Sequence, residues 1–136
     1  MLSEDEKWYR VRLRLVGDNL SIKEIEVKLG LKTSRRLRDK NSTHYWISES
    51  LTDSDVSFEE QITLMLNILE PRIKALKEIL SLPSIEGDLF LGFSSGNGQG
   101  GAFLSTELLR RIADCGLALT LDLYPPTVDE TDISYE

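Results

Sequence analysis

The run Gly96-Asn-Gly-Gln-Gly-Gly101 places Gly96, Gly98 and Gly101 at the spacing GxGxxG, and Asp122 follows 21 residues after the last glycine. Glycines so spaced let a backbone approach a pyrophosphate at a helix N-terminus, while a later carboxylate takes a ribose hydroxyl. Here the best N-cap for the following helix is Ser105, with Ala102, Phe103 and Leu104 in between. The free N–H groups that should meet the phosphate therefore begin four residues late. A glycine hairpin tip and a backbone nest for an anion are the competing readings. The other reactive types are sparse. His44 has the side chain whose charge changes near neutrality, and Cys115 is the sole thiol, set just before a glycine where a small buried residue is expected. One cysteine excludes an internal disulfide, and one histidine excludes a Cys/His zinc site. Asp53, Asp55, Glu59 and Glu60 are close in sequence but flank a helix start, where acidic side chains favour the dipole. They lack the glycine and the terminal glutamate of an EF-hand loop. No catalytic set, metal site or cofactor is expected.

Charge is the stronger signal. The chain has 136 residues, with 16 Lys plus Arg against 23 Asp plus Glu, for a net charge of −7. Residues 1–50 carry 11 basic and 8 acidic side chains, net +3, whereas residues 51–136 carry 5 and 15, net −10. Lys32, Arg35, Arg36, Arg38 and Lys40 form the basic run. The acidic groups are Asp53, Asp55, Glu59 and Glu60, then Asp129, Glu130, Asp132 and Glu136 in the tail. A pI near 4.8 argues against general nucleic-acid binding, which needs a dominant positive field. An acidic face instead steers a cationic protein and speeds its association. The N-terminus is acidic where a signal peptide needs positive charge, and no apolar run is long enough to span a membrane. A cytoplasmic protein is expected.

The elements that must position these groups follow from periodicity. Residues 8 to 15 alternate Tyr9, Val11, Leu13 and Leu15 with Arg10, Arg12 and Arg14, as in a half-buried strand. Ser21 with Glu24 caps a short helix from Ile22 to about Leu29, which Gly30 stops. Leu31 to Ser42 reads as a loop, and Thr43 to Ser48 as a second strand. Ser57 with Glu60 opens a long apolar stripe, Phe58, Ile62, Met65, Leu69, Ile73, Leu76 and Leu80, on which Pro71 imposes a kink or a division into two abutting helices. Asp88 to Ser94 is a third strand, Ala102 to Leu104 a brief extra one, Ser105 caps another helix, and Leu117 to Tyr124 is the last strand. Trp8, Tyr45, Trp46 and Tyr124 all fall on strands or their ends. Trp8 or Trp46 exposed among the arginines on a helix-free sheet face would form a protein-binding hot spot.

This order predicts an α+β fold: a two-layer sandwich of a four- to five-stranded sheet with helices on one face, built from two β-α-β units joined by a long helix and related to ferredoxin-like arrangements. Residues 1–126 form the single domain, and 127–136 an acidic C-terminal tail. The short helix ending in Lys-Leu-Gly-Leu, the strand His-Tyr-Trp-Ile-Ser, and the ending Phe-Leu-Ser-Thr-Glu-Leu-Leu through Leu-Asp-Leu-Tyr resemble the bacterial domain-of-unknown-function family DUF4279. That resemblance implies a small cytoplasmic protein and brings no catalytic residues. In size, charge and fold style the chain is similar to immunity proteins that neutralise toxins. The leading expectation is a non-enzymatic interaction domain, with toxin immunity as its specific case, binding a basic partner through Asp53, Asp55, Glu59, Glu60 and the tail. The enzyme-class alternative is a nucleotide or anion binder using Gly96 to Gly101 with Arg35, Arg36 and Arg38. A third reading is a regulatory module for an anionic ligand or RNA held by the Arg35/Arg36 pair.

Overall fold

A computed structural model describes residues 7–18, 20–34, 45–95 and 100–125. Its elements run β1 (Lys7–Val16), α1 (Ile22–Leu29), β2 (Tyr45–Ile47), α2 (Phe58–Leu69), a 3-10 turn (Glu70–Arg72), α3 (Ile73–Leu80), β3 (Glu86–Ser95), α4 (Thr106–Asp114) and β4 (Ala118–Leu123). The sheet order is β2-β1-β3-β4. β1 pairs antiparallel with both β2 and β3, and β4 lies parallel to β3, so the sheet is mixed and open.

The alternation along β1 decides the layers. Val11, Leu13 and Leu15 enter one core with Leu89, Leu91 and Phe93 of β3. Onto that same face pack Ile25 and Leu29 of α1, Ile62, Met65, Leu66 and Leu69 of α2, Leu76 and Ile79 of α3, and Leu108 and Ile112 of α4. The result is the expected α+β two-layer sandwich. Its second half is a genuine β3-α4-β4 crossover with parallel strands, whereas β1 and β2, although separated by α1, are antiparallel. The symmetry visible in the sequence is therefore one of element order and not of strand direction. Residues 100–105 form no strand, so four strands, not five, are present among the described residues.

Local signals hold at the helix starts. Ser21, Ser57 and Ser105 each accept a hydrogen bond from the backbone N–H three residues on, at 3.4, 3.3 and 3.1 Å. Gly30 and Gly116 take φ of 69° and 77° just after their helices, the left-handed conformation that only glycine adopts cheaply. Pro71 lies in the 3-10 turn between α2 and α3, where its missing N–H removes no α-helical bond. The apolar stripe crosses this junction without losing phase, and Leu69 and Leu76 on either side are both fully buried.

Candidate functional site

β2 covers only Arg14 to Val16 of the outer edge of β1. The rest is closed by side chains and loop. The Leu13 N–H donates to Ser48 Oγ at 2.9 Å, while the Ser48 N–H donates to the Leu13 carbonyl. Gln61, buried on α2, receives the Val11 N–H at Oε1 (3.1 Å) and donates from Nε2 to the carbonyls of Tyr9 (2.9 Å) and Val56 (2.7 Å). The Tyr9 N–H donates to the carbonyl of Ser54 at 2.7 Å. These bonds clamp the segment before α2 against the β1 edge, because buried backbone groups left unpaired would be costly.

That clamp fixes the acidic cluster. Asp53 and Asp55 lie on either side of Ser54, and Glu59 and Glu60 occupy the first turn of α2. All four are exposed. Among the described residues no lysine or arginine forms an ion pair with any of them; the ion pairs are Arg14–Asp88, Lys28–Glu24 and Arg111–Glu70. Beside them is a hollow of about 270 Å³ whose lining includes Tyr9, Phe58, Glu59 and Phe103. Phe103 is 74% exposed. An uncompensated carboxylate group thus borders an exposed aromatic ring.

The aromatic and basic candidates are placed differently from the hot-spot expectation. Trp46 is completely buried in the core, because its place opposite Leu15 turns it toward the helices. The indole therefore offers no surface to a partner, contrary to the expectation for Trp46. Trp8 lies on the helix-free face but is also buried, packed on Tyr124 with ring centroids 5.3 Å apart and with the Arg10 guanidinium 5.5 Å from its ring. Both rings lie over Gly92, where a Cβ would come within 3.3 Å of Trp8 and 3.4 Å of Tyr124. Arg14 stacks 4.5 Å over Phe90 and makes a two-point contact with Asp88, at 3.0 and 2.6 Å, while Thr120 donates to the same carboxylate at 2.5 Å. The Arg12 guanidinium donates to the Ser48 carbonyl at 2.7 Å. Arg12 and Arg14 thus tie β1 to neighbouring segments, while Arg10 lies against Trp8 of its own strand.

Arg35, Arg36, Arg38, His44, Gly96, Gly98 and the tail carboxylates lie outside the described residues. Gly101 is exposed and well before the helix. Its successor α4 is already capped by Ser105 and carries Glu107 in its first turn, which opposes an incoming anion. Cys115 is buried, and burial pushes its thiol pKa up, with Glu70 and Asp114 adding to the effect. A protonated buried thiol is a poor nucleophile. Among the described residues no group of three or more His, Cys, Asp or Glu is placed to hold a metal ion, and no helix is long and apolar enough to cross a membrane.

Two features escaped the sequence reading. Gln61 interrupts an apolar helix face, and the one signal for it was a polar residue between Phe58 and Ile62. Leu119, Leu121 and Leu123 of β4 share the helix-side face with Leu89, Leu91 and Phe93, yet remain 39%, 57% and 66% exposed. They belong to the strand expected over Leu117 to Tyr124, but among the described residues no helix covers this edge strand.

Neither a curated protein nor a solved structure matched the chain in these comparisons. A family model did, over residues 6–126, which takes in every element from β1 to β4. The chain belongs to the family described as a domain of unknown function, DUF4279.

Proposed function

We propose that this chain is a non-enzymatic protein-interaction domain that engages a basic protein through the corner formed by Asp53, Asp55, Glu59 and Glu60, with neutralisation of a toxin by its immunity protein as the specific case. The observation that carries the reading is that four exposed carboxylates, none with an ion-pair partner among the described residues, cluster at this corner, where Glu59 lines a hollow that also bears exposed Phe103. Unpaired surface carboxylates raise the encounter rate with a cationic partner. An aromatic anchor beside them supplies the apolar contact that holds a complex once formed.

The test uses the native chain and a variant with Asp53, Asp55, Glu59 and Glu60 all changed to Lys as baits in an extract of the source organism. A basic protein retained by the native chain at low salt, released by salt and lost by the variant is the expected result. A partner of acidic pI, or one held equally by the variant, contradicts the proposal. For the toxin case, co-expression of the native chain should relieve the growth defect caused by the captured partner.

A further inference from the structure

The two edges of the sheet are treated differently. The β1 side is closed by β2, Ser48, Gln61 and the Ser54 carbonyl. At the other side, β4 pairs only with β3, and among the described residues nothing hydrogen-bonds to its outer edge. A bare edge with apolar side chains is a template for another strand, and monomeric proteins ordinarily blunt such edges with charge, proline or a bulge. β4 carries none of these on its helix-side face, where Leu119, Leu121 and Leu123 stand in a row.

The layer above continues the patch. On α4, Arg111 reaches Glu70 at 2.9 and 2.7 Å and Asn67 at 3.1 Å, so that side of the helix faces α2. Leu109 and Ala113 are each two positions from Arg111, roughly on the opposite side at 3.6 residues per turn. They therefore look out over β4, and both are exposed. Strand and helix together present a two-layer apolar edge.

We infer that this edge joins a second copy of the same chain, β4 pairing antiparallel with β4 of the partner subunit about a twofold axis through Leu121, to make one continuous eight-stranded sheet. The register follows from side-chain chemistry. A twofold normal to the sheet brings residues of the same face opposite one another, so its centre must fall on a residue. Centred on Leu121, the pairing sets Leu121 against itself, Leu119 against Leu123 of the partner subunit, and Asp122 against Thr120 of the partner subunit. All the exposed leucines are then covered and no like charges face each other. A centre on Asp122 would oppose two carboxylates, and one on Thr120 would set Leu123 against Leu117 of the partner subunit, which lies before β4 and is already buried. Strand pairing alone buries too little for a stable dimer, which needs roughly 1,200 Å² in total. The Leu109 and Ala113 faces of the two α4 helices supply the second layer. Charge permits the arrangement, because Asp53 and Asp55 lie along the β1 edge, across the sheet from β4. The dimer keeps Asp53 and Asp55 of the two subunits apart. This inference is independent of the proposed function, and a monomer would leave the basic-partner reading standing.

Sedimentation of the full chain should show a dimer that dissociates on dilution. Leu121→Lys, which sets two ammonium groups against each other at the axis, should sediment as a monomer with unchanged circular dichroism. A positional test does not depend on that variant's folding. Paired strands hold opposite Cα atoms about 4.5–5.5 Å apart, within disulfide reach of about 4.4–6.8 Å. Under a mild oxidant Leu121→Cys should therefore form a covalent dimer rapidly, and Leu119→Cys much more slowly, because residue 119 does not meet its own copy. A native chain that stays monomeric up to millimolar concentration overturns the inference. So does a dimer that Leu121→Lys leaves intact, or equal cross-linking at 119 and 121, which would place another surface or register at the contact.

Discussion

Gln61 shows how one side chain can do the work of a missing strand. Its amide accepts from Val11 and donates to Tyr9 and Val56, so three backbone groups at the β1 edge depend on it. Leucine at this position fills similar space but leaves all three unpaired. Gln61→Leu should lose about 2–3 kcal/mol in denaturant unfolding, in line with the cost of stranding buried polar groups. It should also loosen the Asp53 to Ser57 segment, seen as faster amide exchange at Tyr9. Glu70 gives a pH signature. Its hydrogen bonds to Arg111 hold the carboxyl below its ordinary range, partly offset by desolvation, with the Arg111 charge adding to the lowering. A depressed folded pKa contributes stability that is complete above the unfolded carboxylate value and is lost as pH falls through the folded one. Glu70→Gln should therefore be less stable than the native chain at neutral pH, by less than about 1 kcal/mol because the pair is half exposed. The gap should close as pH falls below the ordinary carboxylate range and through the lowered folded value, read as converging melting temperatures.

At the scale of elements, the caps and the proline were legible because each acts through its own backbone within a few residues. Ser57→Ala removes the hydrogen bond at the start of α2 and should cost about 1 kcal/mol in thermal unfolding. The matching change at Ser105 should cost a similar amount. Strand pairing was not legible, because direction and order depend on contacts between distant segments. The same hydrophobic alternation marks both β1, which is central, and β4, which is an edge. It thus marks Leu119, Leu121 and Leu123 as one face of a strand without telling whether a helix lies over them. Trp46 illustrates the converse. Its place with Trp8, Tyr45 and Tyr124 on strands or their ends suggested an aromatic patch, but its parity opposite Leu15 sends the indole into the core. Fold class was readable from element order, whereas the exposed apolar edge and the Gln61 clamp were not.

Across the whole molecule, the −7 charge resolves into a basic first part and an acidic second part. Arg12 and Arg14 of β1 are occupied in contacts to neighbouring segments, while Asp53, Asp55, Glu59 and Glu60 remain exposed and without ion pairs among the described residues. The described carboxylates without ion pairs thus form a local negative field where the segment before α2 meets the β1 edge. Such a field acts chiefly on encounter, so its signature is kinetic and depends on salt. The decisive measurement is the association rate of the captured basic partner with the native chain and with the four-lysine variant, across a range of ionic strength. The account predicts that the native rate falls steeply with salt, and that the variant associates at least about tenfold more slowly at low salt. Equal rates for the two chains, or a native rate indifferent to salt, would contradict it.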